Sequence, residues 1–492
     1  MSFYTYWYMI GIVYSRGDIM KRQSGVLLPV FALPGPYGCG TFGQHAYRWV
    51  DRLADGGFSV WQVLPFGVTD DHNSPYMSYS SFAGNPFFID PLMLYEQHLV
   101  TAEELEQQTV TDPYLCDFDA LHRTRLAFLA NAAARTPDTD NIRSFCQSHP
   151  HIANACRFLA LKQANNGRPW REWTVTEPPC EVEFTWQFIQ YEFHRQWQEL
   201  HAYANQKGIS VIGDLPFYVS NDSSDIWASP DQFQLDPKHN PSSVSGVPPD
   251  YFCADGQLWG NPLYHWEKME SDGYSWWKSR LAYMLDLFDG VRIDHFRAIS
   301  AYWSVPATAK TAKEGKWCAG PDKKLIDAFA PLAKDKMILA ENLGMIDQKT
   351  QDLLAYSGYP GMAVFQFGFD GDPANCHLPH NYTENTVAYT GTHDNNTLLG
   401  FLWELDEPTR RRVLEYVGNP TDGCAAIRSA LLMSQAGLVI FPVQDLLSYG
   451  ADTRINTPGR AVGNWAYRIT EDQLSQVDWP LYARLNRITR RK

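Results

Sequence analysis

The sequence predicts an α/β fold, a (β/α)₈ (TIM) barrel, from three observations. Eight short apolar runs lie along the chain, helical patterns separate them, and acidic residues stand at the ends of several runs. Short apolar runs are typical of parallel strands that are buried on both faces. Strand and helix alternating eight times favour a closed barrel, with a doubly wound sheet as the alternative.

The predicted strands are short and mostly apolar. In chain order they are Gly25–Phe31, Phe58–Phe66, Ile209–Phe217, Gly290–Phe296, Met337–Leu343, Met362–Phe369, Thr386–Thr392 and Leu438–Gln444. Helices are predicted between them. Thr101-Ala-Glu-Glu104 forms a capping box at the start of a short helix. Apolar residues from Trp186 to Leu200 recur at helical spacing, and Gly208 ends that helix.

Two intervals between predicted strands are too long to be simple connections. About 140 residues separate the second and third strands, and about 70 separate the third and fourth, so both must fold into subdomains. We place these insertions at about 67–207 and 218–287. The first contains predicted helices around Asp119–Ala134 and Asn154–Gln163. The second includes a loop rich in Pro, Gly and aromatic residues, Val247–Tyr264, which could present rings to a ligand.

Residues 1–20 form an extension before the predicted catalytic barrel, which spans 21–492. The extension is aromatic and apolar for about a dozen positions, but it has no basic n-region and is too short to span a bilayer. A start codon assigned too early is the explanation that we favour, with Met20 as the natural start. No transmembrane segment is predicted elsewhere in the chain.

The formal net charge of −14 argues against a nucleic-acid partner, because phosphate binding needs clustered Lys and Arg. The basic end Arg487–Lys492 is predicted to be a solvated tail. Nine scattered cysteines include no CxxC pair, so neither a zinc site nor a disulfide framework is indicated. We therefore predict a cytoplasmic protein with no metal site and no membrane partner.

Arg292 and Asp294 lie two residues apart on the fourth predicted strand and so share one face, while Val291 and Ile293 share the other. The apolar pair can pack against helices and leave the charged pair at the barrel mouth. A guanidinium beside a carboxylate keeps the acid ionised, as a nucleophilic carboxylate requires. The alternative is a buried ion pair that only fixes the barrel.

Three further acids stand at or near strand ends. Glu341 follows an apolar run, where its carboxyl group should hold a proton to higher pH and suit a general acid, although it could instead cap a helix. Asp394 lies in a polar turn beside His393, which could donate to a sugar hydroxyl; a simple turn role is the alternative. Asp214 ends the third strand and could orient Arg292 or a loop. Active sites of (β/α)₈ barrels lie at this rim, and paired carboxylates suit glycosidic bond cleavage.

Aromatic residues in polar loops form a second group of candidate binding residues. Rings in such loops could stack on the apolar faces of sugars, although each could also be packed in the core. They are Tyr76, Tyr79, Tyr251, Trp259 and Trp465.

Nine short motifs lie along the chain: Ser74-Pro-Tyr76, Phe82-Ala-Gly-Asn-Pro86, Gly213-Asp-Leu-Pro216, Gly246-Val-Pro-Pro-Asp250, Trp259-Gly-Asn-Pro-Leu-Tyr264, Val291-Arg-Ile-Asp-His295, Ala340-Glu-Asn-Leu-Gly344, Gly391-Thr-His-Asp394 and Asn456-Thr-Pro-Gly459 with Gly463-Asn-Trp465. In these motifs the chain resembles the 4-α-glucanotransferases of glycoside hydrolase family 77, which are called amylomaltases or disproportionating enzymes. The resemblance runs from about Gly25 to Arg468.

The resemblance implies a retaining double displacement on α-1,4-glucans. Asp294 matches the nucleophile, Glu341 the acid/base and Asp394 the transition-state stabiliser. It also implies that no redox cofactor is required and that no separate C-terminal β-domain follows the barrel. About 45 residues follow the eighth predicted strand, too few for such a domain.

The resemblance also implies which residues contact the substrate. Arg292 and His393 match substrate-contacting positions, and Tyr76, Trp259 and Asn464 match sugar-binding positions. Two other functions stay open. A hydrolase would use the same acids but let water complete the reaction, and a non-catalytic protein would only bind glycans. Oligomeric state is not indicated by the sequence.

Overall fold

The computed structural model of the protein describes residues 21–70, 72–249, 254–344, 346–460 and 462–492. The predicted extension 1–20 and Tyr251 lie outside the described residues. The described strands are β1 (Gln23–Leu27), β2 (Val60–Gln62), β3 (Ser210–Leu215), β4 (Ser243–Val247), β5 (Gln257–Pro262), β6 (Gly290–Ile293), β7 (Ala301–Pro306), β8 (Lys316–Ala319), β9 (Met337–Ala340), β10 (Gly361–Val364), β11 (Thr386–Tyr389) and β12 (Leu438–Pro442).

Eight of these strands form a closed parallel barrel, so the predicted fold class is confirmed. Their order around the barrel is β1, β2, β3, β6, β9, β10, β11 and β12, and β12 pairs with β1 to close the circle. Each barrel strand corresponds to one of the eight predicted runs. The doubly wound alternative is wrong.

The observed strands are shorter than the predicted runs, mainly at their C-terminal ends. The fourth predicted run reaches Phe296, for example, whereas β6 ends at Ile293. The apolar residues beyond the strands are buried nonetheless: Phe31, Phe66, Phe217 and Phe296 are at most 6% exposed. At these positions an apolar residue therefore indicates burial and not strand structure. The backbone no longer pairs with the neighbouring strand and forms the rim of the barrel.

Helices surround the barrel and fill the insertions. They are α1 (Gln44–Asp55), α2 (Pro91–Glu96), α3 (Ala102–Glu106), α4 (Phe118–Arg135), α5 (Thr139–Ser148), α6 (Pro150–Ala164), α7 (Cys180–Gln206), α8 (Ser224–Ala228), α9 (Trp266–Ser271), α10 (Ser275–Leu287), α11 (Arg297–Ser300), α12 (Lys323–Ala333), α13 (Gln348–Ser357), α14 (Leu398–Glu404), α15 (Glu407–Tyr416), α16 (Gly423–Met433), α17 (Val443–Leu446), α18 (Glu471–Ser475) and α19 (Trp479–Ile488).

Two hydrophobic clusters separate the inside of the barrel from its outside. Alternate strand residues such as Val60, Leu339 and Ile440 form a small cluster inside the barrel. Their neighbours pack outward against the helices in a larger cluster, which includes Val291 and Ile293 as predicted. Arg292 is thereby left on the inner face of β6.

The long insertion between β2 and β3 is helical, as predicted. Thr101 and Glu104 form the predicted capping box, in which each side chain accepts from the other residue's backbone N–H. The helix predicted from Trp186 to Leu200 is the middle of α7, which ends just before Gly208 at a φ of +76°. Only glycine adopts that conformation without strain.

A four-stranded antiparallel sheet, in the order β5-β4-β7-β8, stands beside the barrel. It joins the insertion after β3 to residues that follow β6, a pairing that the sequence does not predict. The segment predicted as a Pro- and Gly-rich loop contributes β5 to this sheet. Pairing with distant residues overrides the weak strand propensity of Gly and Pro in this segment. No separate β-domain follows β12 in the described residues.

Candidate active site

The register of the barrel brings Asp294 and Glu341 side by side. Ile293 on β6 pairs with Ala340 on β9, so the two acids occupy the next aligned positions on neighbouring strands. The Glu341 N–H donates to the Ile293 carbonyl at 3.0 Å, which continues the ladder to the rim. Neighbouring strands lie about 4.8 Å apart, so the two carboxyl groups start from closely spaced backbones.

Arg292 links two carboxylates at the barrel mouth. Its Nη1 donates to both oxygens of Asp214 at 2.8 and 2.7 Å, and its Nη2 donates to Asp294 Oδ1 at 2.8 Å. Burial acts to lower the pKa of Arg292, but the charges of Asp214 and Asp294 outweigh it and raise that pKa well above its ordinary value. The guanidinium therefore stays charged and orients one oxygen of Asp294.

Asp214 lies beneath the site, with no exposed surface. Besides Arg292 it accepts a hydrogen bond from the Tyr76 hydroxyl at 2.8 Å. A side chain without exposed surface does not reach a sugar in this arrangement. Its geometry is that of a residue that orients Arg292 and Tyr76, the supporting role considered from the sequence.

Glu341 is held by backbone donors on both carboxylate oxygens. The His295 N–H donates to Oε2 at 2.8 Å, and the Leu343 N–H donates to Oε1 at 3.0 Å. Burial, with a further contribution from the charge of Asp294, raises the pKa of Glu341 to about 7, although Arg292 and the two N–H donors oppose the rise. A carboxyl group with this pKa is protonated for a large fraction of the time near neutrality, as a general acid must be.

His295 adopts a left-handed backbone conformation, with φ of +49°. This conformation is costly for a residue other than glycine and concentrates at functional sites. His295 follows Asp294 directly, and its backbone conformation directs its N–H toward Glu341. The sequence motif includes His295, but spacing alone gives no signal that its backbone would bind the neighbouring acid.

Asp394 lies in the turn after β11, with 45% of its side chain exposed. Its Oδ2 is 3.3 Å from His393 Nε2, and its Oδ1 accepts from Asn456 Nδ2 at 2.6 Å. Burial by the surrounding residues acts to raise the pKa of Asp394, but His393, Asn456 and Arg292 outweigh it and hold that pKa below its ordinary value. This carboxylate is therefore ionised throughout the neutral range.

The predicted aromatic residues divide into two groups. Tyr76 stacks on His393 with ring centroids 5.3 Å apart, and Trp259 stands edge-on to His295 at 4.9 Å, so each lies against the chain neighbour of a predicted acid. Trp465 is only 6% exposed and its ring packs against Tyr76 and His393, which favours the packing alternative for this residue.

The ammonium group of Lys162 lies over the ring of Tyr79, 4.5 Å from its centroid, so one face of this ring contacts a cation and is not open to a sugar.

Asn464 forms hydrogen bonds within its own loop. Its Oδ1 accepts from the Thr457 N–H at 2.9 Å, and its Nδ2 donates to the carbonyls of Thr457 and Arg460. Its predicted contact with sugar stays a prediction.

Neither a metal-ligand group nor a membrane-spanning helix is found within the described ranges. Among those residues, no group of three or more His, Cys, Asp or Glu side chains is arranged to hold a metal ion. Nor does any helix there combine the length and apolar character needed to cross a membrane. Two of the acids at the barrel mouth, Asp214 and Asp294, instead form ion pairs with Arg292.

Comparison with known proteins gives one family. The model of glycoside hydrolase family 77, described as 4-alpha-glucanotransferase, matches residues 28–474. A 4-alpha-glucanotransferase of Synechocystis is 41% identical, over 93% of this chain and 95% of its own. One from Thermus thermophilus is 38% identical, over 93% of this chain and 96% of its own.

Solved structures give the same result. The amylomaltase from Streptococcus agalactiae in complex with acarbose superposes with a TM-score of 0.92 at 34% identity, covering 96% of this chain and all of that one. The amylomaltase from Corynebacterium glutamicum has a TM-score of 0.79 at 18% identity, covering 96% of this chain and 75% of that one. The second match shows a shared fold alone.

Proposed function

Because the chain belongs to the 4-alpha-glucanotransferases of glycoside hydrolase family 77, we propose that it performs transfer by a retaining double displacement centred on Asp294 and Glu341. The family acts on α-1,4-glucans, moving a segment of one chain to an acceptor. In our proposal the acceptor is the 4-hydroxyl of another glucan or of glucose.

The first displacement breaks the glycosidic bond. An oxygen of Asp294 attacks the anomeric carbon while the protonated Glu341 donates its proton to the leaving oxygen. The departing chain leaves with a free 4-hydroxyl, and the retained segment is joined to Asp294 as a covalent glucosyl ester. Glu341 is now ionised.

The second displacement restores an α-1,4 bond. Glu341 takes the proton from the 4-hydroxyl of the acceptor, whose oxygen attacks the same anomeric carbon and releases Asp294. Two inversions give net retention, and the enzyme returns to its starting protonation state. No metal or redox group takes part in either step.

The alignment of Asp294 and Glu341 on neighbouring strands carries this proposal. A retaining mechanism needs carboxyl groups roughly 5–5.5 Å apart, whereas an inverting one needs a wider gap that admits water. Strands about 4.8 Å apart favour the closer spacing. The contrasting environments of the two acids support different roles, since Arg292 orients Asp294 and burial raises the pKa of Glu341 to about 7.

The remaining predicted residues would bind the sugar. In our proposal Asp394 stabilises the positive charge that develops at the anomeric carbon, and His393 and Arg292 contact hydroxyls near it. Tyr76 and Trp259 would offer ring surface beside the acids, and Asn464 would contact the sugar from its loop. We retain a cytoplasmic location as part of the proposal, supported by free cysteines in the described chain.

Product analysis with maltotriose tests transfer against hydrolysis. Transfer predicts a ladder of longer maltooligosaccharides together with shorter ones on chromatography. Hydrolysis would produce glucose and maltose without any longer chain. The absence of all products from a folded preparation would instead support a protein that only binds glycans.

A further inference from the structure

A short segment after the last barrel strand lies against the turn that carries Asp394. We call this segment, Arg454–Arg460, the strap. The Asn456 N–H donates to the His393 carbonyl at 3.1 Å, and Arg454 Nη2 donates to the Asp394 carbonyl at 3.1 Å. The strap is thereby joined, through one backbone N–H and one side chain, to the backbone of the turn that carries Asp394.

One side chain of the strap reaches the carboxylate itself. Asn456 Nδ2 donates to Asp394 Oδ1 at 2.6 Å, while His393 approaches the other oxygen at 3.3 Å. Because 45% of the Asp394 side chain is exposed, packing alone does not fix its rotamer. Among the described residues, the Asn456 amide therefore makes the shorter of the two contacts that set the direction of this carboxylate.

The strap is held in place independently of Asp394. The Thr457 N–H donates to Asn464 Oδ1 at 2.9 Å, and the Trp465 N–H donates to the Ile455 carbonyl at 2.7 Å. Within the strap itself, Arg454 Nε donates to the Asn456 carbonyl at 3.3 Å. A donor on a fixed support is aligned before the reaction begins, which is what makes such groups effective in catalysis.

We propose that Asn456 is a positioning residue for the transfer reaction, which fixes the Asp394 carboxylate beneath the reacting sugar from its place on the strap. The inference rests on the proposed role of Asp394 as transition-state stabiliser. Asn456 acts through Asp394, and its effect therefore falls on kcat more than on KM.

Several charged or titratable groups face this pair of residues and enter any pH dependence. His393 and Arg292 act to lower the pKa of Asp394, and the charge of Asp394 in turn acts to raise the pKa values of Tyr76 and Arg454. The charges of Glu404 and Arg460 also act on the pKa of Arg454. All of them are unchanged in the variants below, so comparison with the wild type at each pH removes their common effect.

Substitution of Asn456 by alanine and by aspartate distinguishes positioning from simple support of the fold. N456A removes the donor, and kcat for maltotriose disproportionation is expected to fall about 10- to 100-fold, as for loss of one hydrogen bond to a charged group. In N456D the introduced carboxyl group repels Asp394 when ionised, so the loss at pH 8 is expected to exceed that of N456A. When protonated, the same group donates a hydrogen bond to Asp394.

The expected signature is therefore rescue by acid in N456D alone. Its kcat relative to wild type should rise at least about fivefold between pH 8 and pH 5, while the ratio for N456A stays constant. N385D is the matched control, because Asn385 is exposed at the opposite end of β11 and its substitution should leave kcat unchanged at every pH. Thermal unfolding of each variant checks that the fold is kept.

Two results would overturn the proposal: wild-type kcat in N456A, or an N456D ratio that does not change with pH. D394N separates this failure from failure of the mechanism. If D394N is inactive while the Asn456 variants behave as wild type, only the positioning role is wrong. If D394N itself retains wild-type turnover, the role proposed for Asp394 is wrong.

Discussion

At the scale of single residues, three carboxyl groups at one rim lie in different environments, which their partners create. Arg292 holds an oxygen of Asp294 at 2.8 Å, burial raises the pKa of Glu341 to about 7, and His393 with Asn456 keeps Asp394 ionised. The same functional group, a carboxyl group, thus serves as nucleophile, acid and electrostatic stabiliser in our proposal. Environment rather than residue identity assigns the roles.

Replacement of Asp294 by asparagine tests the nucleophile. D294N keeps the size of the side chain and its place beside Arg292 but removes the attacking charge, so kcat on maltotriose should fall by at least about a thousandfold. Binding of maltooligosaccharides, measured by calorimetry, should remain detectable. D119N on the surface of α4 is the control, and near-normal turnover in D294N would remove Asp294 from the mechanism.

The dependence of kcat/KM on pH tests the acid. Glu341 must be protonated to donate, and its protonated fraction falls as pH rises through about 7. The rate with maltotriose should therefore decline about tenfold per pH unit well above 7. With a glucosyl fluoride donor, whose leaving group needs no proton, the first displacement should lose this decline. A maltotriose rate that stays level up to pH 9 would contradict the assignment.

At the scale of elements, the register between β6 and β9 brings Asp294 and Glu341 together. A turn of only a few residues then locks them, since His295 donates to the side chain of Glu341 and Phe296 donates to its carbonyl at 3.0 Å. A shift of either strand would therefore move both carboxyl groups. Close packing beneath the strands is what prevents such a shift.

Gly213 on β3 gives a direct test of that packing. A Cβ at this position would lie 2.2 Å from the ring of Phe288, which precedes β6 and is fully buried. G213A should destabilise the protein by about 1–3 kcal/mol through overpacking and lower its midpoint of thermal unfolding. Activity should also fall, because Asp214 is the next residue. An unchanged midpoint of thermal unfolding in G213A would show that β3 and Phe288 can move apart with no loss in the free energy of unfolding.

Individual elements also show how far sequence reasoning extends. The eight apolar runs predict all eight barrel strands, and the Thr101 capping box predicts the start of α3. Both predictions succeed because each depends only on residues that are close together in the sequence. Strand ends are misjudged where buried residues such as Phe296 continue an apolar run beyond the ladder. The sheet of β4, β5, β7 and β8 is missed because its pairing joins segments that lie far apart in the chain.

At the scale of the whole molecule, barrel closure gathers residues that are distant in sequence. The three carboxylates were predicted to meet because the ends of parallel strands share one rim, which is a property of the fold. The partners of those carboxylates follow no such rule. Asn456 lies 62 residues from Asp394, and neither spacing nor composition indicates their hydrogen bond.

Trapping the covalent intermediate tests the central claim most directly. E341Q lacks the base for the second displacement, so incubation with an α-maltosyl fluoride should leave a maltosyl group on the enzyme. Digestion and mass spectrometry are expected to place that group on Asp294. A stable adduct on any other residue, or a released product of inverted configuration with no adduct, would contradict the double displacement.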